Sequence, residues 1–253
     1  MQFDPPLVTG RFVKRYKRFF VDVELEGGEI VVAHCPNTGS LTGCLIPGAE
    51  VAIAPANNPE RKLRWTWNLV RIGDTWVGVH TGSAVPLVAA AITDGALPEL
   101  SGFERCTAEV RYGREGKSRI DLLLSSGGRP EQAGQGTKRK QRISYKGDRR
   151  VYVEVKNTTL VRETVAAFPD AVTTRGQKHL EELMHVVQEG HRAAMVYCVQ
   201  RDDCARFTPA DDVDPRYGEL LREAVEAGVE AYAMRARVNP SGIRLDTTLP
   251  IDL

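Results

Sequence analysis

Apolar and polar residues alternate with period two through the first third of the chain. Val21, Val23 and Leu25 alternate with Asp22 and Glu24, so residues 20–25 predict a strand with one buried face. A second apolar run at 30–33 follows the turn Gly27-Gly28, and the two runs predict a hairpin. Residues 50–54, 64–72 and 75–79 predict further strands, the last after the Gly73-Asp74 turn. Residues 85–93 read as a short helical linker. From about residue 100 strands and helices mix. Residues 107–112, 119–124 and 151–156 predict strands. Residues 175–189 predict the clearest helix, because Leu180, Leu183, Met184 and Val187 fall at i, i+3, i+4 and i+7. Thr174 with Gln177 fits a capping box there, and Gly190 fits the stop. Residues 193–199 predict a strand. Asp214-Pro215 opens a second helix, with Leu220, Leu221, Ala224 and Val225 inward and Gly228 at its end. Residues 229–237 and 243–249 predict the last strands.

Short strands with close turns suit a small barrel, and the five-stranded OB-fold is the candidate for residues 1–82. The later order, three strands and then alternating helices and strands, predicts a central mixed sheet flanked by helices over residues 83–253. The fold class is therefore α/β (α+β), an OB-like barrel followed by a mixed-sheet domain. Residues 127–150 interrupt that domain. They hold eight basic residues and two acids, Glu131 and Asp148, and lack apolar periodicity, so they predict a mobile loop.

Composition changes this picture little. A chain of 253 residues with 42% apolar and 26% charged residues is ordinary for a globular protein of one or two domains. The net charge of +1 gives no global argument for nucleic acid, so any basic surface must be local. Five cysteines form no Cys-x-x-Cys pair, which points to a reducing compartment. The first residues show no export signal, and no apolar run approaches membrane-spanning length, so the expectation is a cytoplasmic protein without membrane contact.

The candidate chemistry lies in two strands. In residues 151–156 Glu154 and Lys156 point to one face and Val153 and Val155 to the other. Charges on a buried strand are costly unless paired or functional. The strand at 119–124 has the same oddity, Asp121 within an apolar run. Pairing the two strands would bring Asp121 beside Glu154 and Lys156, with Glu109 on the preceding strand as a third acid. An Asp followed by Glu-x-Lys is the core of the PD-(D/E)xK nuclease site. Phosphodiester hydrolysis needs a cation to offset charge and activate water. Asp121 and Glu154 supply a carboxylate pair for magnesium, with manganese the alternative ion. Lys156 would orient water or stabilise transition-state charge. Gln177 could face this site or serve only as a cap. His179 and His185 read as surface residues.

Nucleic-acid contacts are expected at the basic, aromatic stretch holding Arg11, Lys14, Arg15, Lys17 and Arg18, the pattern with which OB-folds grip single strands. Its bland reading is a barrel strand with core aromatics and solvated cations. Arg119 is a further candidate contact. Arg175 and Lys178 near a helix start could meet phosphate. Trp65, Trp67 and Trp76 read as barrel core.

Four motifs in order, His34-Cys35-Pro36-Asn37-Thr38-Gly39-Ser40, Ser118-Arg119-Ile120-Asp121, the run from Tyr152 to Leu160, and Phe168-Pro169-Asp170-Ala171-Val172-Thr173 with Arg175-Gly176 and Lys178-His179-Leu180, give the chain a specific resemblance. It resembles the sugar fermentation stimulation protein A (SfsA) family over nearly its whole length. The resemblance implies an N-terminal OB-fold, a C-terminal nuclease-like domain, DNA binding and a link to regulation of sugar (maltose) metabolism. The expected function is DNA binding coupled to a magnesium-dependent nuclease. The alternatives are a non-catalytic DNA-binding regulator that retains the nuclease fold and an RNA-directed enzyme. The motif at 34–40 reads first as a tight turn and second as a phosphate or interdomain contact.

Overall fold

The structure, a computed structural model, describes residues 1–56, 58, 60–113, 118–127 and 149–253. Most of the 127–150 segment, residues 128–148, lies outside the described residues.

Six strands build the first unit: β1 (Val8–Tyr16), β2 (Phe20–Leu25), β3 (Ile30–His34), β4 (Glu50–Pro55), β5 (Trp65–Ile72) and β6 (Thr75–Gly78). Their order is β3-β2-β1-β4-β5-β6. A parallel contact of Ala33 with Trp65 and His34 with Thr66 joins β3 to β5 and closes five strands into the expected OB barrel. The alternation explains the inside. Val21 and Val23 are fully buried with Phe12, Val51, Ile53, Trp67 and Val70. Trp67 packs 5.6 Å from Phe12 and donates its indole N–H to the Leu69 carbonyl at 2.8 Å, so its one polar atom is satisfied. Gly27 and Gly28 turn the β2–β3 hairpin with φ of +102° and +86°, backbone that glycine adopts at no steric cost.

The second unit begins with α1 (Ala84–Thr93). It is not the linker that its length suggested. Leu87, Val88, Ala91 and Ile92 are buried against the sheet, in one cluster with Leu122, Leu124, Val151, Val153, Val155 and Val196. That sheet is built from β7 (Arg105–Tyr112), β8 (Ser118–Ser126), β9 (Arg149–Thr158), β12 (Arg192–Val199), β14 (Glu230–Asn239) and β15 (Gly242–Leu249), in the order β15-β14-β12-β9-β8-β7. The pairs β9–β12 and β12–β14 are parallel and the others antiparallel, which is the expected mixed sheet. The helices α2 (Thr174–Gln188) and α3 (Pro215–Glu226) cover its other face. A small sheet unforeseen from the pattern, β10 (Leu160–Arg162), β11 (Val165–Phe168) and β13 (Arg206–Pro209), fills the space beyond the end of β9.

The cap of α2 sits one residue earlier than expected. Thr173 accepts the Gly176 N–H at 3.1 Å. Gln177 is not part of a capping box and does not reach the charged strands. Its amide donates to Asp214 at 2.9 Å, and Asp214 also accepts from Thr173 N and from Tyr217 N at the start of α3. One buried carboxylate therefore ties the two helix N-termini together. Gly190 and Gly228 end the helices with φ of +84° and +99°.

Candidate active site

The β8–β9 ladder runs from Ser126–Arg149 to Leu122–Val153. Beyond it, Asp121 meets β9 through its side chain, and Oδ2 accepts the Val155 N–H at 2.8 Å. Period two then places Glu154 and Lys156 on the face opposite Val153 and Val155, toward α2. Lys156 Nζ lies 2.7 Å from Glu154 Oε1. The three strand residues named from the sequence thus share one corner of the sheet.

A fourth member comes from α2. His179 is buried, and its Nδ1 contacts Glu154 Oε1 and lies 2.9 Å from Lys156 Nζ. Arg175, one turn earlier, donates from Nε to His179 Nε2 at 3.3 Å. That contact assigns the ring proton to Nδ1, where it is donated to Glu154. The expectation of a surface histidine is therefore wrong. The buried face of α2 runs through Gly176, His179, Leu180, Leu183 and Val186, and is rolled away from the Leu180–Met184–Val187 stripe. The spacing 179, 183, 186 was a usable signal, since a histidine in an apolar i, i+4, i+7 series lies on the inner face.

Charge is tightly managed here. Burial pushes the Asp121 carboxyl up and the charge of Glu154 pushes it further, against the Val155 hydrogen bond and Lys156, to about 6. Burial also pushes Glu154 upward, but the His179 hydrogen bond and the Lys156 charge outweigh it and hold Glu154 below the usual carboxylate range. Glu154 Oε2 is buried with no hydrogen-bond partner among the described residues. A divalent ion would answer both features, since it offsets the carboxylate repulsion and gives Oε2 a partner. The pair therefore fits a hard cation. Among the described residues no group of three or more His, Cys, Asp or Glu could hold a metal ion. Two carboxylates with water and substrate phosphate are the set that magnesium commonly takes.

The corner opens into a cleft of about 490 Å³. Asp121, Lys156, Asp170 and Arg175 line one side, and Asn37 and Thr38 of the barrel line the other. The 34–40 motif is both a turn and an interdomain contact. Asn37 Oδ1 accepts the Gly39 N–H at 2.8 Å, and Asp170 Oδ2 accepts the Leu41 N–H at 2.9 Å. A Cβ at Gly39 would stand 2.9 Å from both Asp170 oxygens, so a larger residue there would have to displace the carboxylate that holds Leu41.

The remaining named residues lie elsewhere. The β7–β8 ladder pairs Ala108 with Leu122 and Val110 with Ile120 but omits Glu109, whose φ is +57°. Glu109 turns to the surface and pairs with Arg119 at 3.3 Å, and its charge still reaches Asp121, which it pushes up slightly. Arg15 holds the motif loop, donating to the carbonyls of Asn37 at 2.7 Å and Gly39 at 2.9 Å. Arg11 donates to the Gly48 carbonyl at 3.1 Å, and Lys14 lies 3.6 Å from Asp22. Lys17 and Arg18 form the left-handed turn into β2, with exposed side chains. Lys178 is exposed on the outer side of α2.

An OB barrel joined to a mixed-sheet domain, with an Asp and a Glu-x-Lys meeting beside the cleft between them, defines a class of proteins that couple these two folds. Residues 13–79 match the family model "SfsA N-terminal OB domain", and residues 83–242 match "Sugar fermentation stimulation protein RE domain". The chain belongs to the sugar fermentation stimulation protein family. A sugar fermentation stimulation protein homolog of Geobacter metallireducens is 49% identical over 100% of both chains. One from Synechocystis is 47% identical over 95% of this chain and 93% of its own. The solved structure of Pyrococcus furiosus SfsA in complex with Ca2+ superposes with a TM-score of 0.83 at 27% identity, covering 100% of this chain and 98% of that one. No helix among the described residues is long and apolar enough to cross a membrane.

Proposed function

We propose that this chain binds nucleic acid, DNA foremost, and hydrolyses its phosphodiester backbone with magnesium, or manganese in its place, held by Asp121 and Glu154. The observation that supports this reading is the meeting of Asp121 and Lys156 in one cleft, with Glu154 bonded to Lys156 behind them and one of its buried carboxylate oxygens left unpartnered. A relative solved with Ca2+ supports a site for an oxygen-preferring divalent ion in this fold. When bound, such an ion offsets phosphate charge and lowers the pKa of a coordinated water.

The chain's own residues have separate tasks. His179 and Lys156 keep Glu154 ionised and oriented. Asp121 is ionised above about pH 6 and is aimed by the Val155 N–H. Lys156 presents an ammonium where charge grows on the phosphate oxygens. Arg175, in the first turn of α2, adds a cation at the cleft wall beside the helix N-terminus. On the barrel, Lys14, Lys17 and Arg18 remain available for backbone phosphates.

A second reading, a non-catalytic DNA-binding regulator of sugar metabolism, is favoured by the contacts of Glu154 Oε1, which Lys156 and His179 already satisfy. The two readings separate on incubation of the protein with single- and double-stranded DNA and RNA, in magnesium, manganese or chelator. Ion-dependent cleavage that disappears in Asp121→Asn supports the hydrolase. Binding without cleavage under every condition leaves the regulator.

A further inference from the structure

We propose that Asn37, delivered from the barrel, is a substrate-positioning residue whose side-chain amide donates a hydrogen bond to a phosphodiester oxygen in the cleft. The proposal rests on the hydrolase reading for the identity of the ligand, and on separate observations for the donor.

Asn37 is 6% exposed, yet it lines the cleft opposite Lys156 and Arg175. Its Oδ1 is committed to the Gly39 N–H, which settles the orientation of the amide. Nδ2 then remains with no acceptor among the described residues. Nδ2 is not among the sealed unpartnered atoms, so it opens to the cleft and can donate to what occupies it. The loop is also held rigidly. Arg15 grips the Asn37 and Gly39 carbonyls, Thr81 donates to the Pro36 carbonyl at 3.0 Å, and Asp170 fixes Leu41 from the other domain. A loop fixed by four hydrogen bonds from three side chains presents its donor with little ordering cost on binding.

The acceptor follows from the surroundings. Lys156 and Arg175 favour an anion, while Asp121 opposes one unless a cation lies beside it. Asp170 also lines the cleft, with one oxygen bonded to Leu41 N–H. A nucleic-acid phosphate held by Lys156 and Arg175 would have an oxygen free for the Asn37 amide, which lines the same cleft. Barrel and sheet domain then grip one phosphate between them.

The test uses the full-length protein labelled with nitrogen-15. A short thymidine oligonucleotide with magnesium, and inorganic phosphate alone, are titrated while the Asn37 side-chain amide is followed. The expected result is a saturable shift of that amide pair with the oligonucleotide. Asn37→Asp keeps the turn acceptor for Gly39 and should weaken oligonucleotide binding about tenfold with an unchanged melting temperature. Asn37→Ser removes the amide without adding charge and should show the same loss. If the oligonucleotide moves the Lys156 or Arg175 signals but leaves the Asn37 amide still, the inference is overturned while the hydrolase reading stands. A response to phosphate alone supports the donor role even if no strand is cleaved. If neither probe moves any cleft signal, the nucleic-acid reading fails and this inference falls with it.

Discussion

Asp121 Oδ2 accepts the backbone N–H of Val155 at 2.8 Å, so a side chain from one strand ends the ladder that the backbone began. This contact holds the carboxylate against Glu154 in spite of their like charge. The repulsion is part of why Asp121 is raised to about 6.

The first prediction concerns pH. Asp121 binds its proton more tightly folded than unfolded, so folding is favoured while it is protonated. That contribution is complete below the ordinary value near 3.8 and is lost as pH rises through about 6. Asp121→Asn should therefore gain stability over the parent as pH rises from 4 to 7 in chelator. After allowance for partial solvent screening the gain should be about 1–2 kcal/mol. Urea unfolding at each pH checks it, and a gain that is the same at pH 4 and pH 7 rejects the coupling.

His179 should matter through Glu154. His179→Ala leaves the buried carboxylate one donor short and should cost about 1–3 kcal/mol and weaken magnesium binding. His179→Asn can place an amide N–H near the Nδ1 position and should restore part of both losses. Calorimetric titration of magnesium into the parent and both variants is the measurement. Equal affinities in all three would show that the histidine only fills space.

Gln177 provides a contrast. It serves the helix junction through Asp214 and touches none of the charged strand residues. Gln177→Ala should lower stability by about 1 kcal/mol and leave ion affinity unchanged. Asp214→Ala removes the cap of α3 as well as the Thr173 contact and should cost more, about 2–4 kcal/mol. Chemical denaturation beside the ion titration separates the two effects, and a loss of ion binding in Gln177→Ala would return that residue to the site.

The basic stretch of the barrel should divide by role. Replacing Lys14, Lys17 and Arg18 with Ala should weaken binding to unrelated DNA sequences alike, and should reduce the slope of log affinity against log salt by about one per lost phosphate contact. Arg15→Ala should instead destabilise the 34–40 loop, because its guanidinium is spent on two loop carbonyls. Salt-series binding and thermal melts on both variants give the comparison. An unchanged salt slope in the triple variant would move the DNA platform elsewhere.

Much of this arrangement was legible along the chain. Period two alone puts Glu154 and Lys156 on one face and the valines on the other, because a strand's side-chain geometry is local. An acid inside the apolar run at 119–124 marked Asp121 for the same reason. The barrel strands, the two later helices and their glycine stops also follow from short-range pattern and backbone preference. The tertiary structure decided what local pattern cannot carry. The roll of α2 against the sheet brought His179 inward, and that roll is set by packing against β9, β12 and α3. Glu109, expected as a third acid on the preceding strand, leaves the ladder with a left-handed backbone, pairs with Arg119 and reaches Asp121 only through its charge. Asp214 and Gln177 meet across 37 residues, and Asp170 and Leu41 across 129. Such contacts depend on where whole elements come to rest, so only the folded chain shows that a turn in the barrel, Asn37-Thr38-Gly39, forms the far wall of a cleft built on another domain's strands.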